Sequence, residues 1–182
     1  MNKINISTAN LKLAAIVILS ILAALLLIKI FFIPGNEVGP VSPVEISVDP
    51  VSHEAEKGKE FTIYISVDPA NNPITAAQFS LLFNSSLIEI KNVTEGSLLK
   101  QKGAKALFGP GAINNSKGTL TNTWGVITTP RANITEKGTF AVITLVAKNT
   151  GKGELRLSGV ILSDFEGTMI NARTINGSVN IK

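Results

Sequence analysis

The stretch G-K-E-F-T-I-Y-I-S-V-D-P-A-N-N-P-I-T-A-A-Q-F-S-L-L-F, residues 58–83, holds two runs in which apolar side chains return at every second position. Phe61, Ile63, Ile65 and Val67 form one set, and Ala77, Phe79, Leu81 and Phe83 form the other. Side chains of a strand alternate between its two faces, whereas a helix would bring apolar positions back every three or four residues. Asn71-Asn72-Pro73 separates the runs with residues that favour turns. The stretch therefore reads as two strands, each with one face to a core and one to solvent.

The same pattern continues on both sides. Val44, Ile46 and Val48 alternate with Glu45, Ser47 and Asp49, and further runs occupy 87–93, 120–126, 140–147, 154–162 and 175–181. Gly58, Gly96, Lys117-Gly118, Lys137-Gly138, Gly151, Gly153 and Gly167 punctuate them. After residue 43 no stretch keeps a helical stripe for three turns, and no internal repeat marks a solenoid or propeller. Many short strands, apolar on one face, predict an all-β fold of two antiparallel sheets packed face to face. The domain is expected over 44–182.

The N-terminal part reads differently. L-A-A-I-V-I-L-S-I-L-A-A-L-L-L-I, residues 13–28, has Ser20 as its one polar residue, and extending it to Ile33 gives the roughly 20 residues that span a bilayer. Lys3 and Lys12 precede it, which keeps residues 1–12 in the cytoplasm and exports the chain from Pro34 onward. I-K-I-F-F-I-P-G-N-E-V-G, residues 28–39, offers no A-x-A cleavage pattern, so 13–33 is read as a retained transmembrane signal anchor. Pro34 to Pro43 is too rich in Pro and Gly for a regular element and reads as a linker. The expected localisation is a membrane-anchored protein with its domain at the cell surface.

The net charge of +4 is concentrated at that end. Removing Lys3, Lys12 and Lys29 from the 17 Lys and Arg leaves 14 against 13 Asp and Glu, a net of +1 from Pro34 onward. A nearly neutral domain lacks the basic face that neutralises phosphates, so nucleic acid is not an expected partner. There is no cysteine, which excludes disulfides, thiolate metal sites and a cysteine nucleophile. N-x-S/T sequons at Asn84, Asn92, Asn114, Asn133 and Asn176 mark glycosylation candidates on an exported surface.

Catalytic chemistry finds little support. The single histidine, His53, reads as an exposed loop residue, and G-x-S-x-G, G-x-x-x-x-G-K-[ST] and G-x-G-x-x-G are all missing. Asp164 and Glu166 stand in D-F-E-G, a turn sequence, and supply too few oxygens for calcium by themselves. Neither an enzymatic activity nor a cofactor is expected. Trp124 and Tyr64 are the aromatics that sugars stack on, but Trp124 falls in register with Leu120 and Val126 and is expected in the core.

The order of these segments is where a family becomes visible. G-K-E-F-T-I-Y-I-S-V (58–67), A-A-Q-F-S-L-L-F-N-S-S-L-I-E-I-K-N-V-T-E-G (76–96), G-T-F-A-V-I-T-L-V-A (138–147), G-K-G-E-L-R-L (151–157), D-F-E-G-T-M-I (164–170) and the closing G-S-V-N-I (177–181) together resemble a cohesin domain. The resemblance spans essentially all of 44–182. It implies a nine-stranded jelly-roll β-sandwich, related in fold to carbohydrate-binding modules, that is non-catalytic and holds dockerin modules in polysaccharide-degrading systems.

The dockerin-facing sheet would then comprise the strands at 76–83, about 105–108, 119–126 and 154–162. Alternation along them directs Ala76, Gln78, Ser80, Leu82, Thr119, Thr121, Thr123, Glu154, Arg156 and Ser158 outward. At the positions where the best-known cohesins carry an Asn and an Asp for the dockerin, this chain carries Ala76 and Gln78. Three functions stay open: capture of a protein partner, dockerin-like or other; direct binding of polysaccharide; and a structural envelope role in which Val44 to Val48 pairs with the sheet edge of a neighbouring molecule.

Overall fold

The computed structural model describes residues 43–182. The expected anchor at 13–33, the cytoplasmic 1–12 and nearly all of the 34–43 linker lie outside the described residues.

Thirteen strand segments succeed one another: β1 (Val44–Asp49), β2 (Ser52–Ala55), β3 (Glu60–Asp68), β4 (Ala76–Phe83), β5 (Ile88–Glu95), β6 (Ala106–Gly109), β7 (Ala112–Asn114), β8 (Thr119–Ile127), β9 (Gly138–Ala147), β10 (Gly151–Ser163), β11 (Met169–Ile170), β12 (Ala172–Ile175) and β13 (Gly177–Ile181). A short 3₁₀ turn, Leu98–Gly103, comes between β5 and β6. They form two sheets, one in the order β12-β1-β3-β9-β5 and one in the order β2-β13-β10-β4-β8-β6, with β11 on β10 and β7 on β8. The cohesin resemblance implies nine strands. The additional segments β2, β7, β11 and β12 are two to four residues long and pair along the flanks of longer strands, too short to show a period in the sequence.

The alternation read at residues 58–83 is what fills the space between the sheets. Phe61, Ile63, Ile65 and Val67 of β3 and Ala77, Phe79, Leu81 and Phe83 of β4 are all buried in one cluster that also takes Phe140, Ile143 and Leu145 from β9 and Leu155, Leu157 and Leu162 from β10. Phe140 sits at its centre, edge-on to both Phe79 and Phe108 with ring centroids 5.9 Å apart. With no disulfide available, this burial is the main source of stability.

Two edges bear on function. β1 is interior, pairing in parallel with β12 and antiparallel with β3, so both edges of the strand invoked by the envelope reading are occupied within the chain. β5 ends its sheet, and there the side-chain amide of Asn115 donates to the Ile90 carbonyl (3.0 Å) and accepts from the Ile90 N–H (2.9 Å). One side chain thus satisfies backbone groups that a neighbouring strand would otherwise bind.

Candidate partner-binding face

The four strand segments singled out in the sequence are brought side by side as β10-β4-β8-β6 in the larger sheet. Cross-strand register arranges their outward side chains in rows. Leu107, Val126, Ala76, Ser163 and Met169 form the first row, and Gly109, Trp124, Gln78 and Ile161 the second. Ser80 and Ser158 pair in the third row, and Thr119, Leu82 and Arg156 in the fourth, with Glu154 beyond.

Ala76, Gln78, Ser80, Thr119, Thr121, Glu154, Arg156 and Ser158 therefore lie on the outer surface in the places alternation assigned them. Thr123 does not. It is fully buried, with its hydroxyl donating to the Pro110 carbonyl at 3.0 Å, while Trp124, expected in the core, is 41% exposed.

The cause is a β-bulge. Phe79 pairs with Thr123 and Leu81 with Leu120, so Ser80 alone faces both Thr121 and Asn122. Asn122 takes a left-handed φ of 55°, and its N–H donates to Ser80 Oγ at 3.2 Å. One inserted residue reverses the parity of everything after it, which turns Trp124 and Val126 outward and Thr123 inward. β10 bulges at the same level: Ser158 pairs with Ser80 and Ile161 with Gln78, and Gly159 has a φ of 55°. Both neighbours of β4 thus break register beside Ser80. The available signal was Asn122, a residue type that tolerates left-handed backbone, in the middle of an otherwise regular run.

The two bulges also mark a change in chemistry along the face. On one side lie Leu107 (58% exposed), Trp124, Ile161 and Met169, with Phe165 (71% exposed) on the turn after β10. On the other side lie Ser80, Thr121, Thr119, Arg156 and Glu154, with the exposed Leu82 as an apolar residue among them. A cleft of about 330 Å³ opens at the apolar end, with Ala76, Val126, Pro130 and Phe165 among its lining residues. Alternation did not anticipate the apolar half, because its members come from four segments that only the tertiary register unites.

The remaining candidate residues divide between local structural roles and open surface. His53 lies on β2 rather than in a loop, stacked on Phe61 at 4.8 Å. Asp164 closes its own turn, its Oδ1 accepting from the N–H groups of Glu166 (2.9 Å) and Thr168 (2.8 Å). Among the described residues no three of His, Cys, Asp and Glu gather as metal ligands. Asn84, Asn92, Asn114 and Asn133 are exposed, whereas Asn176 is half-buried and accepts from the Leu157 N–H at 3.0 Å.

Fold and surface together define an all-β sandwich domain that presents a broad, partly apolar sheet to solvent. The family model for the cohesin domain matches residues 44–181. The chain belongs to the cohesin domain family, whose members are non-catalytic protein-interaction modules.

Solved structures agree on the fold. A non-cellulosomal cohesin from the hyperthermophilic archaeon Archaeoglobus fulgidus matches with a TM-score of 0.60 and 17% identity, over 78% of this chain and 92% of that one. The OlpC cohesin in a type I cohesin–dockerin complex from Clostridium thermocellum matches at 0.62 and 19%, over 77% and 94%. The sixth cohesin of scaffoldin B from Acetivibrio cellulolyticus, in complex with a Cel5 dockerin, matches at 0.60 and 21%, over 78% and 100%. A search of curated proteins finds no match.

Proposed function

We propose that this chain is a cell-surface capture module that holds a partner protein on the outer face of its larger sheet. The observation that carries the reading is the apolar half of that face, where Leu107, Trp124, Ile161 and Met169 stand in solvent in adjacent rows. Contiguous exposed apolar surface beside a polar surround is characteristic of association sites, and tryptophan is a frequent anchor in them. Membership of an interaction family points the same way. The two cohesins solved with dockerins favour a dockerin-like module as the partner class, and the link to polysaccharide degradation rests on the family resemblance of the sequence alone. Ala76 in the first row, at one of the two positions where the family resemblance implies Asn and Asp, favours a more apolar seat there.

The test is affinity capture from extracellular proteins of the host on the immobilised full-length chain, beside a Leu107→Asp/Ile161→Asp variant. A protein retained by the parent and lost by the folded variant supports the reading. Retention of nothing, or equal retention by both, overturns it.

Display at the cell surface rests on the apolar segment 13–33 and on Lys3 and Lys12. External protease that removes the domain from intact cells while sparing the N-terminus is the expected result. Digestion that requires lysis refutes that topology. The exposed sequons fit the same placement, and a mass decrease on enzymatic deglycosylation would establish their use.

A further inference from the structure

Beyond protein capture, we infer that Trp124 and the amides beside it form a stacking site for an uncharged glycan. Three observations carry this. First, the indole lies down on the sheet. A Cβ built on Gly109 would come within 2.2 Å of Trp124 Nε1 and 2.5 Å of Cε2, so the ring occupies the space over that glycine and presents its other side to solvent. Gly109 is the cross-strand partner of Trp124, and the absence of a side chain there is what lets the ring lie flat.

Second, the residues that neighbour Trp124 in the sheet register and along β8 carry neutral amides. Gln78 pairs with Trp124 on the side away from Gly109, and the exposed Asn122 stands two residues before it at the bulge. Neither side-chain amide hydrogen-bonds to another described residue, and each has both a donor and an acceptor to offer. Third, no charged side chain belongs to the first two rows of the face. A flat π surface with neutral amides on neighbouring residues and no charged side chain in its two rows complements a pyranose ring, whose C–H groups pack on the aromatic face while its hydroxyls exchange hydrogen bonds with the amides within reach.

Trp124 is the only tryptophan in the chain, so its fluorescence reports the site directly. The full-length chain in detergent is titrated with cello-, xylo-, manno- and chito-oligosaccharides and with maltodextrins. A saturable change of emission with at least one of them is expected. Affinity should fall by roughly tenfold in Gln78→Ala, about 1.4 kcal/mol of binding free energy. Calorimetry with the same sugar should show binding lost in Trp124→Ala and retained in Trp124→Phe, each with unchanged circular dichroism.

No response to any of these sugars, or undiminished binding by Trp124→Ala, overturns the inference. A Trp124→Ala variant that loses the captured protein while no sugar binds the parent also overturns it and leaves partner capture standing. A sugar response without protein capture supports the glycan site and sinks the partner reading.

Discussion

Trp124 rests on Gly109 so closely that a single methyl group at that glycine would stand 2.2 Å from the indole nitrogen. A contact that short cannot be absorbed by small shifts, and the ring is half in solvent already, so it should swing outward. Gly109→Ala is therefore expected to red-shift Trp124 emission and raise its quenching by acrylamide, with the core intact. Unchanged emission and quenching would show that the ring does not lie where it is placed.

The bulge at Asn122 makes a second prediction. A left-handed φ of 55° suits Asn and Gly and is costly for a β-branched side chain. Asn122→Val should lose about 1–2 kcal/mol in urea unfolding, while Asn122→Gly should change stability by only a few tenths. Equal stability of the two variants would mean that the extra residue lies elsewhere on β8.

These positions show where the sequence stopped being readable. The sandwich was legible because Phe61 to Val67 and Ala77 to Phe83 alternate without interruption, and burial tracks that alternation directly. Along β8 the same logic placed Leu120 correctly and then failed, since a bulge adds one residue without changing composition. Thr123 and Trp124 exchanged faces as a result. The apolar half of the outer face was hidden for another reason. Leu107, Trp124, Ile161 and Met169 lie on β6, β8, β10 and β11, and only strand order and register make them neighbours.

Phe140 joins both ends of the core through its edge-on contacts with Phe79 and Phe108. Its ring is 1% exposed, so truncation leaves a cavity between the sheets. Phe140→Ala should cost about 3–5 kcal/mol, measured by denaturant unfolding. A loss below about 1 kcal/mol, within the range of ordinary surface substitutions and small repacking, would contradict that central position.

Glu54 on β2 should titrate abnormally. Its carboxylate is held below the usual carboxylate range, first by the hydrogen bond from Lys182 and then by that from Asn180. A lowered native pKa gives stability that is present above the unfolded-state value and is lost as pH falls through the native one. The pair is exposed, so the effect on stability is small. In Lys182→Met the Glu54 carboxyl resonance should titrate at higher pH than in the parent, and coincident titration curves would show that the lysine does not engage it.

The free edge of β5 offers the sharpest separation of folding from association. Asn115 supplies one donor and one acceptor to the Ile90 backbone, contacts of 3.0 and 2.9 Å. Two net hydrogen bonds are worth about 1–3 kcal/mol together, so Asn115→Ala should lose stability in that range. It should also bare the Ile90 N–H and carbonyl at the end of a sheet, and unpaired strand groups recruit other strands. Asn115→Asp keeps an acceptor for the Ile90 N–H and loses the donor to its carbonyl, so it should fall between the parent and Asn115→Ala. Light scattering of concentrated protein should show the alanine variant associating while the parent stays dispersed. An alanine variant that is destabilised yet does not associate would assign Asn115 a role in holding β5 to the β7–β8 turn and none in guarding the edge.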